Sequence, residues 1–264
     1  MEMINDHFQN FKRYQIPKAQ LIIADIPYNI GADAYGSSPK WYVDGDNANG
    51  ESELAHSSFF DTDEDFRIME FMHFVNRMLK KEPKGTKEEQ KERKCEPGCM
   101  IVFCAWEQQH YLCEKAAQYG FPNVIPLVFR KNYSAQVLKA NMRVVGNTEY
   151  ALLLYRSGLP KFRNEDAFGN KRMVFNCMDW ERDEQTPKVH PTQKPVGVLR
   201  RLIQTFTDPG DVVIDPVAGS GTTLIAAESL GRKSYGFEIK KEFVKAFHEK
   251  VEPCVQMQLP GFVS

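Results

Sequence analysis

Two stretches far apart in the chain each close an apolar run with an aspartate and a tight turn. The first is Leu21-Ile22-Ile23-Ala24-Asp25-Ile26-Pro27-Tyr28-Asn29-Ile30-Gly31. The second is Val212-Val213-Ile214-Asp215-Pro216-Val217-Ala218-Gly219-Ser220-Gly221-Thr222-Thr223. A short apolar run that stops at Asp and Pro reads as a buried strand ending at a functional edge. In open α/β sheets, ligands sit in the crevice beyond the carboxyl ends of the strands. The two ends are therefore expected to face one pocket, with a nucleotide-like cofactor on the second and a reacting amino group on the first.

The chemistry offered by Asp25-Ile26-Pro27-Tyr28 suits an amino group on a planar ring. The exocyclic nitrogen of adenine or cytosine is a poor nucleophile, because its lone pair is delocalised into the ring. A carboxylate and a backbone carbonyl can both accept its N–H bonds, which draws the nitrogen towards tetrahedral geometry and frees the lone pair. Tyr28 can stack on the base and fix its plane. Such a site works mainly by positioning and by stabilising the developing ammonium, with no covalent enzyme intermediate.

The second stretch carries a small-residue loop between a strand and a helix. Gly219-Ser220-Gly221 lets a ligand approach the backbone, and the following helix start offers free N–H groups. No Gly-Lys-Ser/Thr follows, so it is not a phosphate loop, and Leu224 breaks the full dinucleotide pattern. Asp215 ends the strand, Thr222 and Thr223 open the helix, and Glu238 ends the next strand, where an acid can hold ribose hydroxyls. The set suits an adenosine ligand without a pyrophosphate, such as S-adenosylmethionine.

The elements that must position these residues can be read in order. Residues 1–18 look like a short polar helix or arm, and a strand follows at about 20–24. Asn29 to Asp65 is rich in Gly, Ser, Asn and Asp. It reads either as a functional lid or as a disordered acidic excursion, and Trp41 and Tyr42 favour a loop that docks on something. Asp65 can cap a helix running to about Leu79. Lys80–Lys94 reads as a solvated connector. Met100–Ala105 and Val124–Phe129 are expected strands around a helix at Glu107–Tyr119. A basic connection covers 135–146, and Tyr150–Tyr155 is a strong strand. Helices are expected at Val196–Thr207, at about Thr222–Leu230 and at Lys241–Val251, with a strand at Ser234–Glu238. No final strand after the last helix is evident, so the sheet could be one strand short.

Arg156–Val189 changes character. Lys161, Arg163, Lys171, Arg172, Arg182 and Lys188 are interleaved with Phe162, Phe168, Phe175 and Trp180. Basic residues among aromatics fit a nucleic-acid contact surface, and equally an irregular subdomain with a solvated surface. The bulk composition does not advertise nucleic acid: net charge is −1 and the pI about 6.6 over 264 residues. With 42% hydrophobic residues the chain can bury a full core. No apolar run reaches membrane-span length and no signal pattern is present, so a cytoplasmic location is expected, with no membrane partner. Of six cysteines, Cys95, Cys99 and Cys104 cluster, but not at paired C-x-x-C spacing, and buried or loop thiols are expected rather than a metal site.

The motifs together resemble the amino-methylating DNA methyltransferases, in particular the circularly permuted group whose catalytic motif precedes its cofactor motif. Asp25-Ile26-Pro27-Tyr28 resembles the D-P-P-Y motif of that family, and Asp215 to Thr223 resembles its D-P-F-x-G-S-G-T-T loop. His190-Pro191-Thr192-Gln193-Lys194-Pro195 matches its H-P-T-Q-K-P segment, and Asn147-Thr148-Glu149-Tyr150 before an apolar strand also looks like the family. The resemblance implies a doubly wound α/β Rossmann-like sheet, mostly parallel with one antiparallel strand and in permuted order. Residues 1–155 and 190–264 would form the catalytic and cofactor-binding domain, and 156–189 an inserted target-recognition region.

By that resemblance the catalytic residues are Asp25, Ile26 (through its carbonyl), Pro27 and Tyr28. The cofactor residues are Asp215, Pro216, Ala218, Gly219, Ser220, Gly221, Thr222, Thr223 and Glu238, with Thr192 and Lys194 as further contacts. DNA contacts are expected from Lys161, Arg163, Lys171, Arg172 and Arg182, with Lys139 and Arg143 in the basic connection. The implied reaction moves a methyl group from S-adenosylmethionine to a base flipped out of double-stranded DNA. Asp at the head of the motif favours adenine N6 over cytosine N4. A homodimer and a cognate restriction enzyme are left open as partners.

Two departures stand out. Ile26 replaces a Pro, which still leaves a carbonyl but a less rigid turn. Val217-Ala218 stand where an aromatic ring is usual, and Phe237 is one candidate to replace it. The rival readings are an RNA or protein-glutamine methylase, against which the motif order argues, and a decayed DNA-binding regulator, against which the intact Asp25, Pro27, Tyr28 and glycine loop argue.

Overall fold

A computed structural model describes residues 1–28, 66–82, 86, 88, 96–132, 136–139, 144–165, 168–190 and 192–255. The expected lid over 29–65 lies outside these residues. So do the Asp65 cap, Asn29 to Gly31, most of the 80–94 connector, Cys95, Arg143 and Pro191.

The strands are β1 (Glu2–Ile4), β2 (Leu21–Asp25), β3 (Cys99–Phe103), β4 (Asn123–Lys131), β5 (Gln136–Lys139), β6 (Val144–Gly146), β7 (Thr148–Tyr155), β8 (Cys177–Trp180), β9 (Val212–Asp215) and β10 (Lys233–Phe237). The helices are α1 (Ile68–Met78), α2 (Gln109–Gln118), α3 (Val196–Phe206), α4 (Thr222–Ser229) and α5 (Lys241–Ala246). Alpha-helix α5 runs on into a π-helical turn at Phe247–Val251. A 3-10 turn at Trp106–Gln108 leads from β3 into α2.

Eight strands form one sheet in the order β1-β10-β9-β2-β3-β7-β4-β8. All neighbours pair in parallel except β7, which is antiparallel to both β3 and β4. The mostly parallel, doubly wound sheet expected from the sequence is therefore present. Successive residues of a strand point to opposite faces, and the core divides accordingly. Leu21, Ile23, Ile101 and Phe103 pack on one face with Leu199, Leu202 and Ile203 of α3 and Leu224 and Ile225 of α4. Ile22, Ala24, Met100 and Val102 pack on the other with Phe71, Phe74 and Val75 of α1 and Leu112 and Ala116 of α2. Helices of 8 to 11 residues are too short to persist alone. Their buried apolar faces hold them on the sheet.

Three local expectations are corrected. The sheet is not one strand short, because residues expected to be a polar arm supply its edge: β1 pairs with β10 through Glu2–Tyr235, Met3–Gly236 and Ile4–Phe237. Three residues give no readable alternation, so only the buried Met3 and Ile4 side chains mark this strand. The 135–146 connection contains an antiparallel pair, β5 with β6. The 156–189 segment is not wholly outside the sheet, since β8 pairs with β4 from Val128–Cys177 to Lys131–Trp180.

The edge strand is expected to matter for folding, because Ile4 is buried and its carbonyl accepts the N–H of Glu238 at 2.9 Å. Ile4→Ala should lower the unfolding free energy by about 2 kcal/mol in urea titration. An unchanged midpoint would mean that β1 is an ornament on the sheet.

Candidate active site

The register of β2 against β9 sets the site. Leu21 lies opposite Val213 and Ile22 opposite Ile214 in a parallel pair, so Asp25 and Asp215 finish adjacent strands on the same edge of the sheet. The Asp215 carboxylate feels the charge of Asp25. Strand β9 exits into Asp215-Pro216-Val217, where the Val217 N–H donates to Asp215 Oδ1 at 3.1 Å and the Thr223 hydroxyl also bonds the carboxylate. Burial drives the Asp215 carboxyl up to about 7, with Asp25 and Glu238 adding to the rise.

The glycine loop is moulded by close contacts. Gly221 has φ +74°, and a Cβ there would lie 2.2 Å from the Phe247 ring. A Cβ on Gly236 of β10 would lie 2.8 Å from Ala218 Cβ. Only glycine allows the loop to lie this close to the sheet and to turn into α4. The loop is tied by Ala218 N–H to Phe237 O at 2.9 Å and Gly221 N–H to Ala218 O at 2.7 Å. The Ser220 and Thr222 hydroxyls are 3.4 Å apart. Glu238 closes the turn, accepting from Gly219 N–H at 2.9 Å and from Lys240 N–H at 2.8 Å. Asn5 donates to the Glu238 carbonyl at 2.9 Å, so the N-terminal segment also holds this corner.

Asp25 is held from the far side. The loop before α3 is folded by Gln193, whose side chain accepts from Val189 N–H at 3.1 Å and donates to Pro187 O at 3.1 Å. That loop delivers Lys194, 8% exposed, whose Nζ donates to Asp25 Oδ2 at 2.5 Å. The ammonium also faces the Phe103 and Trp180 rings at 5.3 and 5.8 Å. Burial opposes the Lys194 charge, but Asp25 and Glu149 outweigh it and hold its pKa above the ordinary value. Burial pushes the Asp25 carboxyl up, and Lys194 offsets part of that. The other oxygen, Asp25 Oδ1, is buried with no hydrogen-bond partner among the described residues. An unpaired buried acceptor costs about 1–3 kcal/mol, which marks it as a place for a ligand's donor.

The turn after Asp25 is anchored at three points. Ile26 N–H extends the ladder to Phe103 O at 3.1 Å. Pro27 O accepts from Gln108 Nε2 at 2.8 Å. Tyr28 OH donates to Glu149 Oε2 at 3.2 Å, while Glu149 Oε1 accepts from Lys131 Nζ. Burial works against the Glu149 charge, yet Lys194 and Lys131 carry its pKa below the usual range.

The residues read from the sequence fall into three groups. Asp25 to Tyr28, Asp215 to Thr223, Glu238 and Lys194 are brought to one edge of the sheet. Lys194 meets Asp25, a contact the sequence did not suggest. Thr192 bonds the His190 ring, with Oγ1 3.1 Å from Nδ1. His190 packs edge-on to Phe243 at 4.6 Å and lies beside Gly219. Burial, then Lys194 and Lys240, lowers the His190 pKa to about 4, so the ring is neutral at neutral pH. Phe237, a candidate cofactor ring, is instead packed in the core between Phe74 and Tyr14.

The basic residues diverge. Lys161 Nζ is 2.7 Å from both Asp208 and Asp211, and Arg163 is paired with Glu96 and Asp208. Lys171, Arg172 and Arg182 are exposed, and Lys139 lies in β5. Among the described residues no cluster of His, Cys, Asp or Glu could hold a metal. Cys99 and Cys104 are buried, and burial pushes the Cys104 thiol up to about 12. The contacts of Gln108, Lys131 and Trp180 at this site are to Pro27, Glu149 and Lys194, elsewhere in the chain, so no local spacing betrays them.

A doubly wound sheet with one reversed strand, two acidic strand ends and a glycine loop defines a Rossmann-like methyltransferase. The chain belongs to the DNA methylase family of N6/N4 amino-methyltransferases, whose family model matches residues 19–249. It is 28% identical over 252 residues to the DNA adenine methyltransferase YhdJ of Escherichia coli, covering 91% of this chain and 78% of that protein. The crystal structure of the M1.HpyAVI–SAM complex shares the fold with a TM-score of 0.62 at 20% identity, over 94% of this chain and 98% of that one. The PvuII DNA methyltransferase, cytosine-N4-specific, shares it with a TM-score of 0.63 at 16% identity, over 97% and 90% of the two chains. No helix among the described residues is long and apolar enough to cross a membrane.

The Asp215 environment gives a pH test. Its folded pKa of about 7 lies above the ordinary 3.8, so its stabilising effect is full below about 3.8 and is lost as pH rises through about 7. Against Asp215→Asn, the wild type should lose melting temperature progressively across that window and run parallel outside it. A difference independent of pH would contradict the burial of this carboxyl.

Proposed function

We propose that the chain transfers a methyl group from S-adenosylmethionine to the N6 amino group of adenine in double-stranded DNA. The observation that carries this reading is the buried, unpartnered Asp25 Oδ1 beside an Oδ2 held by Lys194. An acceptor fixed in that way is suited to the N–H of an amino group, and Tyr28, which in this reading stacks on the base, is tethered through its hydroxyl to Glu149. S-adenosylmethionine, when bound, supplies an electrophilic methyl group on a sulfonium.

The residues that would hold it are Asp215, the Gly219 to Gly221 loop, the start of α4 and Glu238. Glu238 accepts backbone N–H bonds from Gly219, Lys240 and Ile239, and its two oxygens keep lone-pair capacity for a ribose hydroxyl. His190, neutral beside Gly219, adds no positive charge against a cationic ligand. Asp25 and the Ile26 carbonyl polarise the amino group. By accepting its N–H bonds they would leave the nitrogen lone pair free to take the methyl group, and Asp25 Oδ1 would receive the proton that the nitrogen gives up. The base must leave the helix stack to reach this edge of the sheet. The adenine reading is supported by the Asp at the head of the turn and by the similarity to an adenine methyltransferase.

For DNA contact the reading favours Lys171, Arg172 and Arg182, exposed in a segment that also exposes Phe168 and Phe175. Lys161 and Arg163 are engaged with carboxylates that fasten the 208–211 turn ahead of β9, and they serve the fold in this reading.

The decisive assay incubates unmethylated DNA with protein and S-adenosylmethionine, then identifies the modified nucleoside by mass. N6-methyladenine is expected, and Asp25→Asn should cut its rate of formation about 10²–10³-fold. N4-methylcytosine would transfer the same chemistry to the other base, and no product would defeat the reading. Lys171→Glu with Arg172→Glu should weaken DNA binding and shallow its log–log salt dependence by about 2. An unchanged slope would place the DNA face elsewhere.

A further inference from the structure

The family-like turn has lost a proline at Ile26, yet the acceptor carbonyl it must aim is the one Ile26 carries. Two bonds flank that carbonyl. On its N-terminal side Ile26 N–H is fixed to Phe103 O of β3 at 3.1 Å. On its C-terminal side Pro27 O is fixed by Gln108 Nε2 at 2.8 Å. Gln108 is itself clamped, because its Oε1 accepts from Ala105 N–H at 3.1 Å, and the residue is only 9% exposed. Rotating the Ile26–Pro27 peptide would break at least one of these bonds. The Pro27 ring fixes φ at the next residue, so the direction of the Ile26 carbonyl is determined from both sides.

We propose that Gln108 is a positioning residue for methyl transfer, holding the Pro27 carbonyl so that the peptide before it, which carries the Ile26 acceptor, keeps its direction. This inference rests on the reading given under Proposed function. The Gln108 side-chain bonds go to Ala105 and Pro27 and not to the Asp215–Thr223 loop. Gln108 acts by holding Pro27, and through it the acceptor that meets the amino group. Productive geometry tolerates errors of only about 10–20°, and a misplacement of about 1 Å can cost up to a hundredfold in rate.

Gln108 also caps the turn after β3, so a purely structural role has to be separated. Gln108→Glu separates them: the carboxylate still accepts from Ala105 N–H but cannot donate to Pro27 O. Gln108→Ala removes both bonds. Steady-state methylation, cofactor titration and thermal unfolding would be measured on the full-length variants. Both variants are expected to lose kcat about ten- to a hundredfold, with cofactor Kd and the KM for DNA within about twofold of wild type. Gln108→Glu should stay folded at the assay temperature, with a melting temperature lowered by the buried carboxylate that faces Pro27 O. A Gln108→Glu enzyme with wild-type kcat would overturn the inference while leaving the reaction intact. Loss of kcat together with cofactor affinity or folding would overturn it too. A wild type that binds cofactor and transfers nothing would instead defeat the underlying reading, and the inference with it.

Discussion

The ion pair between Lys194 and Asp25 joins residues 169 apart in sequence at a single 2.5 Å contact. It can form only if the sheet is assembled correctly. Strand β2 must pair with β9 in register, and α3 must pack on the face that leaves its preceding loop over the sheet edge. A buried pair of this kind adds little net stability, because desolvation cancels most of the attraction. Losing one partner, in contrast, leaves an uncompensated buried charge. The contact therefore acts as a check on geometry. It ties the turn after β2 to the segment that leads into α3 and β9.

The charges around the pair balance locally. Lys194 and Lys131 face Asp25 and Glu149, and Asp215 stands next to them with a carboxyl displaced to about 7. A site with a second full negative charge at Asp215 would strain the buried acids. A site without Lys194 would let Asp25 take up a proton and lose its value as an acceptor. Tyr28 enters the same network through Glu149, so Tyr28 and Asp25 are held by one connected set of interactions through Glu149 and the two lysines. Such networks stiffen a site when every member is satisfied. Asp25 Oδ1 is the oxygen of this network that has no hydrogen-bond partner among the described residues.

The sequence revealed the parts of this site whose spacing is local. Asp25 to Tyr28, Asp215 to Thr223 and Glu238 sit at strand ends, where an apolar run followed by Asp, Pro or Gly is readable without any tertiary knowledge. The sheet class followed from the same runs. What stayed hidden depends on partners distant in sequence. Three residues of β1 carry no periodicity, and only the exposed edge of β10 makes them a strand. The ion pairs of Lys161 and Arg163 were not readable because their acids, Glu96, Asp208 and Asp211, lie 45 to 67 residues away. Composition cannot tell a basic side chain that faces a phosphate from one already bonded to a carboxylate. Phe237 shows the converse case: an aromatic near the cofactor motif belongs to the core, because its position in β10 turns it towards Phe74.

Ile26 shows how a departure from a motif should be weighed. On sequence alone the missing proline reads as a looser turn, which would suit a decaying enzyme. In the structure the N–H that proline lacks is used, since it carries the β2–β3 ladder one residue past Asp25. Proline restricts a turn through its ring at the expense of a donor. Isoleucine keeps the donor and lets the neighbouring strand do the restricting. Its side chain, fully buried among Ile68, Phe71 and Cys104 on the α1 face of the sheet, adds an apolar anchor. The turn is thus held by the ladder, by core packing and by the Pro27 bond. The substitution changes how the acceptor is fixed and leaves the acceptor itself in place.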